Sequence, residues 1–477
     1  MKAKFIMTFS KLTVLGLIAV VFVSSFSGCE SFTEGYKENP LAPTTAPADK
    51  TFIGAETAFM VFMEGFPSQL ASIWAQQIYG AERQFGGYQG YTVTAQDFQA
   101  DWFLAYSGAL TNLRITQNKA TADGGKGNLV GAAKILEGIT MGTVASLWGD
   151  VPYSQADQFN VTSQPKYDNQ IEVYNAVLKV LNDGITDFSG AMRKLDQDAL
   201  SYNGDPARWV KAARTARARY LMQLARSQNY SSAALNLVIQ EAQQGILATN
   251  GSEDLKILHA TGTYQGDMNS WYSFQVFDRS GYISADQTFV YPMMKELSLD
   301  GKTDESGRMT YYFTADGKNL NTTSGAYTAS SPYPVIRASE TYLLMAEAYA
   351  RLGDNANAIA NLNKAREYNN NVYGNKSKNF DALDFLLSGK LLQTILNEEY
   401  LSLMHQIEVF NFLRRIDFKI SYTNSQNAVV SLKPSPGNTQ FPQRFLYSSD
   451  EFTSNPNMPR QSSADLFAPT RVNGGNK

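Results

Sequence analysis

Among 477 residues there is one cysteine, Cys29, and there are two histidines, His259 and His405. A single cysteine excludes a disulfide within the chain. With only two histidines besides, no zinc cluster of Cys and His ligands can be assembled. A Ser-His-Asp triad would have to draw on one of those two histidines. His259 follows an apolar stretch with no serine motif near it, and His405 falls within NEEYLSLMHQIEVFNFLRR, an amphipathic helical pattern in which it reads as a packing or surface residue. GxSxG, a P-loop and a GxGxxG set between strand and helix are all missing. Paired carboxylates, which leave no local signature, are not excluded. Charge is sparse, at 18% of residues, with a formal net of −3. A basic face for nucleic acid is therefore not expected. Aromatic residues are plentiful instead, with 26 Tyr and 27 Phe.

The start of the chain is organised around its cysteine. Lys2, Lys4 and Lys11 precede LTVLGLIAVVFV (12–23), and Ser24, Ser25, Ser27 and Gly28 lead to Cys29. A basic region, a short apolar run and a small-residue zone make an export signal over residues 1–28. The apolar run is short for a membrane span, which takes ~20 residues; an uncut signal anchor is the alternative. Phe26-Ser27-Gly28-Cys29 resembles the bacterial lipobox, with Phe26 at the position usually held by a large aliphatic residue. That resemblance implies cleavage before Cys29 and acyl chains such as palmitate on its thiol, against the alternative of an incidental thiol. Cleavage would remove three lysines and no acid, moving the net charge from −3 to −6. Residues 29–50, with Pro40, Pro43 and Pro47, read as a tether, and Glu30 and Glu34 just behind the cysteine suggest a surface-directed lipoprotein.

From Thr51 onward helical periodicity dominates. Helices are expected over 55–78 with a break at Pro67, and over 95–116, 128–147, 170–188, 207–226, 232–245, 337–352, 355–367 and 382–414. Two stretches interrupt them. Gly80–Val93 reads as a loop rich in Gly and Tyr, and 250–334 reads as a long irregular insertion with short strands. In ETYLLMAEAYARLGDNANAIANLNKARE (340–367), alanines at helical spacing flank Leu352-Gly353-Asp354. This resembles a tetratricopeptide unit without its closing proline, or else an ordinary αα-hairpin. Degenerate copies would pair 128–147 with 170–188 and 207–226 with 232–245.

Several stretches coincide in order with one family. SLWGDVPYS (146–154), PKYDNQ (165–170) before IEVYNAVLKVLNDGI, LSYNGD (200–205) with Trp209 and Arg214 to Tyr220, PVIRASE (334–340), Gln406 to Arg415, and FPQR (441–444) with Tyr447, Glu451 and Asn455 resemble the signature segments of SusD/RagB-like outer-membrane lipoproteins. The residues in these segments read as structural: Asp150 as a cap, Trp148 and Tyr153 as packing, Arg337 and Glu340 as a pair within one helix. The resemblance implies a mostly α fold, with tetratricopeptide-like helix pairs under irregular ligand-binding loops. It also implies a non-enzymatic role: capture of glycan or peptide nutrients at the outer membrane and delivery to a SusC-like TonB-dependent β-barrel transporter. A single domain over 51–477 is expected, with no cofactor; calcium on loop aspartates is left open.

A sugar offers C–H faces to aromatic planes and hydroxyls to polar side chains. Two stretches carry that mixture. Gly80–Val93 offers Arg83, Gln84, Tyr88 and Tyr91, and Thr261–Asp286 offers Tyr264, Asn269, Trp271, Tyr272, Arg279 and Tyr282. They are expected to face one another and form the site; otherwise the rings serve to pin the loops. A surface glycoside hydrolase, which would place two carboxylates ~5–10 Å apart in a cleft, and a structural or adhesive lipoprotein are the competing classes.

Overall fold

The computed structural model describes residues 46–122, 127–158, 161–189, 195–261, 264–386 and 389–476. The export signal, Cys29 and most of the expected tether lie outside these. Helix α1 (Ala48–Glu64) starts directly after Pro47, within the stretch read as tether. Gly65 separates it from α2 (Phe66–Trp74), where Pro67 sits in the first turn. Proline there opens a helix, since its missing N–H has no partner to lose. The expected loop 80–93 contains a short helix, α3 (Arg83–Gln89). The expected helix 95–116 is compound: a 3₁₀ turn, an α turn and a π turn at Leu104–Leu110 lead into α4 (Thr111–Ala122).

The scaffold follows as helix pairs. α5 (Gly127–Trp148) packs on α6 (Gln170–Ser189), and α7 (Pro206–Ser227) packs on both α6 and α8 (Ser232–Ala242). Small residues set the spacing: a Cβ on Gly142 would lie 2.2 Å from the Tyr220 ring, whose hydroxyl donates to Ile139 O at 2.8 Å. Asp150 accepts from the Gln170 N–H (2.9 Å) at the start of α6 and is clamped by Arg471 at 2.6 Å. It caps as its place in the GDVPY turn suggests.

The region 250–334 is less irregular than its composition. It holds α9 (Val290–Leu297), α10 (Ser306–Tyr312) and strands of two to four residues. β1 (Tyr79–Gly80) pairs with β3 (Ile283–Ser284), and β2 (Leu255–Ile257) with β4 (Tyr333–Ile336), both antiparallel. α11 (Ala338–Leu352) and α12 (Asn355–Tyr373) form the tetratricopeptide-like hairpin, with Gly353 as the left-handed cap and Asp354 capping α12. α11 also packs on α8, so the pairs form a continuous stack.

The expected helix 382–414 is broken. A single turn at Ala382–Leu386 is followed by α13 (Leu391–Ser402) and α14 (Glu408–Arg415). The second break holds His405 at φ +57°. Its ring is fully enclosed, and burial pushes its pKa down to about 3. His405 thus packs, one of the two expected roles, and what the periodicity missed is the break that turns the ring inward among Trp271, Tyr312 and Tyr327. Beyond it lies a small hairpin, β5 (Ser421–Thr423) with β6 (Val429–Ser431).

Buried ion pairs tie the stack together. Arg219 donates to Glu340 at 2.6 and 2.7 Å and to Glu408 at 3.3 Å. Arg415 reaches Glu347 at 2.6 Å and Glu399 at 3.0 Å. Arg308 reaches Glu305 at 2.7 Å and Glu398 at 2.9 Å. Glu340 is therefore partnered from α7 rather than by Arg337, which instead donates to Ser402 O and the Tyr312 hydroxyl.

Candidate functional site

The two predicted loops meet through the short β1–β3 ladder. Tyr79 pairs with Ser284 and Gly80 with Ile283, and the Ala81 N–H donates to Tyr282 O at 2.8 Å. Gly80 is required at this seam, because a Cβ would stand 2.0 Å from the Phe85 carbonyl oxygen as α3 folds back over the strand. Phe85 seals the joint. Its ring centroid lies 5.0 Å from Phe274, 5.3 Å from Tyr88 and 6.2 Å from Tyr282. Burying such a ring contributes about 2 kcal/mol. Sequence reading passed over Phe85; its only signal was being the one phenylalanine in a polar, Gly-rich stretch.

The ten predicted ligand residues divide into two groups. Four are buried and build the face from beneath. The Tyr88 hydroxyl donates to Asp97 at 2.7 Å. Burial and then Asp97 raise the Tyr88 pKa, while the Arg279 charge from the other loop pulls it back. Tyr91 accepts from the Ser435 N–H at 2.9 Å and packs edge-on to Trp74. Asn269 caps the helical turn 270–273 by accepting from the N–H groups of Trp271 and Tyr272, and it donates to Ser331 O at 3.0 Å. Trp271 is fully buried: its indole N–H donates to Glu64 O at 3.1 Å, and its ring stacks on His405 at 5.1 Å with planes 13° apart. In this structure Trp271 and Asn269 offer no surface to a ligand, because each is enclosed and its polar atoms are engaged by the protein.

The other six stand at the surface. Arg83, Gln84, Tyr264 and Arg279 are exposed, and Tyr272 and Tyr282 are half-buried. The Arg279 guanidinium lies over the Tyr282 ring at 5.5 Å. Tyr272 meets Phe277 edge to face at 5.9 Å, and Phe277 is itself largely exposed. Phe277 also escaped the sequence reading.

Beside this face a cleft of about 910 Å3 opens between α1 and residues 257–278. It is larger than the hollows beside Tyr230 (about 470 Å3), Arg366 (about 360 Å3) and Phe103 (about 250 Å3). Glu64, the last residue of α1, is buried at its edge. One carboxylate oxygen accepts from the Ser270 N–H at 2.9 Å, and the other lies 2.8 Å from His259 Nε2. Among the described residues no group of three or more His, Cys, Asp or Glu side chains gathers to hold a metal ion. The exposed rings thus offer C–H faces, and the neighbouring cleft, which no Phe, Tyr or Trp lines, offers carboxylate and amide groups to hydroxyls and other donors.

A family model described as SusD-like, starch-binding and associating with the outer membrane, matches residues 56–447. The chain belongs to the SusD-like family. Its fold agrees with solved SusD-like structures. A SusD/RagB family protein from Bacteroides thetaiotaomicron superposes with a TM-score of 0.67 at 18% identity, over 91% of this chain and 100% of the other. A SusD homolog from Bacteroides fragilis gives 0.64 at 15% identity, over 91% and 100%. A chitin-binding SusD homolog from Flavobacterium johnsoniae gives 0.60 at 17% identity, over 85% and 94%. No curated protein matches the sequence. Like its family, this SusD-like chain is mostly helical, and among its described residues no helix is long and apolar enough to cross a membrane.

Proposed function

We propose that this SusD-like chain is a surface-exposed lipoprotein of the outer membrane, anchored through acyl chains on Cys29. It binds glycan nutrients and delivers them to a SusC-like TonB-dependent β-barrel transporter, and it does not turn them over. The observation that carries this reading is the joining of two loops distant in sequence, one exposing Arg83 and Gln84 and the other presenting Tyr272, Phe277, Arg279 and Tyr282. Family membership and the chitin-binding relative support a glycan as the cargo. The lipobox-like Phe26-Ser27-Gly28-Cys29 supports the anchor.

The test is calorimetric titration of the purified protein with panels of glycan and peptide oligomers, with products followed by chromatography. Saturable binding of a glycan without new products is the expected result. Binding of peptides alone would redirect the cargo assignment, and released product would replace binding by hydrolysis. Mass spectrometry of the protein from native membranes should find acylated Cys29 as the first residue, and gentle detergent extraction should recover a β-barrel partner with it.

A further inference from the structure

The hollow beside Phe103 shares no lining residue with the cleft or with the exposed face of the loops. Three stretches distant in sequence enclose it: residues 102–111, Pro152 to Asp157 with Pro165, and Asp450 with Glu451. Hydrogen bonds tie these walls to one another. The Tyr106 hydroxyl donates to Pro152 O at 2.8 Å, and Asn455 Nδ2 donates to Pro165 O at 2.9 Å. Glu451 accepts from the Trp102 indole N–H at 3.2 Å and from the Tyr167 hydroxyl at 2.6 Å. The hollow is thus formed in advance, so a ligand need not order it. Trp102 is buried against Tyr106, with ring centroids 4.7 Å apart, whereas Phe103 at the rim is 61% exposed. Between Phe103 and Thr111 runs the π turn 104–110, a rare, widened turn of a kind found at functional sites.

We infer that this hollow seats one pyranose ring with equatorial hydroxyls, as a second glycan contact apart from the loops. The glycan itself rests on the functional reading above; the place and the single-ring size are new. Equatorial hydroxyls leave a clear C–H face, and the exposed Phe103 ring offers a plane to receive it. Around that ring stand the hydroxyls of Ser107 and Thr111 and the carboxylates of Asp157, Asp450 and Glu451. Carboxylates only accept, and the edge of a sugar is rich in O–H donors. The two hydroxyls can donate in turn to its ring and glycosidic oxygens. No lysine or arginine lines the hollow, so it offers no cation to an anionic ligand. Its volume of about 250 Å3 falls below the ~300–1,000 Å3 of pockets that enclose drug-sized ligands, which limits it to one ring.

The experiment uses the full mature chain, isotope-labelled at its tryptophan nitrogens, and titrates it with methyl β-glucopyranoside. Trp102 is the one tryptophan that lines the hollow, so its indole N–H resonance, assigned through Trp102→Phe, reports on this place alone. That resonance should shift saturably, with a Kd on the order of 1 mM. Phe103→Ala, at an exposed position, should weaken the response at least about fivefold, and Ser107→Trp, which fills the hollow, should abolish it. The double variant Arg279→Ala with Tyr282→Ala, on the loops, should leave it unchanged. A Trp102 signal that stays still, or one that moves equally in Phe103→Ala, overturns the inference; glycan binding seen by calorimetry would then survive without it. A larger, Phe103-dependent shift with choline overturns the sugar in favour of a cation held by ring and carboxylates. If no glycan of the wider panel binds, the functional reading fails and this inference falls with it.

Discussion

In the helical scaffold, arginines are enclosed between carboxylates; in the joined loops, arginines stand in solvent. Arg219, Arg308 and Arg415 each meet two glutamates and are almost wholly buried. Arg83 and Arg279 are exposed, and Arg279 lies over Tyr282. Tyrosines divide the same way: Tyr174 and Tyr220 are core residues of the stack, whereas Tyr264 is 76% exposed. Residue type therefore does not mark the exposed face of the loops; what surrounds each residue does. A buried guanidinium is held because removing one partner strands the other, whereas an exposed one can be altered at little structural cost.

That contrast can be broken by substitution. The largest effect is expected from Arg415→Met, which leaves Glu347 and Glu399 buried together. Burial pushes Glu347 up, but Arg415 and Arg351 hold its pKa down to about 2; the substitution leaves Glu347 with Arg351 alone and Glu399 buried without a cation, and should cost about 3–5 kcal/mol in urea unfolding. Trp271→Ala, beneath the loops, should cost a similar or slightly smaller amount, about 3–4 kcal/mol, and should weaken ligand binding as well, because the ring supports the turn at 270–273. Loss of binding with unchanged stability would move Trp271 from support to contact.

A pH-dependent effect of intermediate size belongs to Asp101. The residue is 4% exposed, one carboxylate oxygen has no partner, and burial lifts its pKa to about 7. The folded protein keeps a proton that the unfolded chain releases near pH 4, so this group's contribution is full below that value and is lost as pH rises through about 7. Asp101→Asn should flatten that decline and gain about 2–4 kcal/mol at pH 8, read as the difference between unfolding curves at pH 4 and pH 8. Tyr282→Ala and Arg279→Ala should each weaken glycan binding roughly tenfold, about 1.4 kcal/mol, with stability moving about 1 kcal/mol or less for exposed groups. Tyr264→Ala should be the mildest, under about 0.5 kcal/mol in stability. If Arg279→Ala unfolds the protein, the division between scaffold and face is wrong.

The scaffold was the more legible half. Alanine spacing and Leu352-Gly353-Asp354 foretold α11 and α12, and the small residues of 128–147 foretold close helix packing, because these signals act within a few turns of chain. Breaks were harder. The interruption at His405 comes from a ring drawn into an aromatic pocket built by Trp271, Tyr312 and Tyr327, all more than seventy residues away. At the site, composition located both loops but could not tell a ring facing solvent from one facing the core. Tyr282 and Trp271 look alike in sequence, and only the strand pairing and the position of α1 separate them. Glu64 and His259 were illegible as a pair because neither carries a local motif and their meeting depends on the end of α1 reaching the second loop.

The seam at Gly80 has a consequence for how such a face changes over time. The carbonyl of Phe85 occupies the space a side chain would need, so the hinge of the clasp admits almost no variation. The positions just past it, Arg83 and Gln84 on one arm and Arg279 on the other, are exposed. The outer positions can therefore be exchanged at little structural cost while the knuckle that holds the two arms together stays as it is.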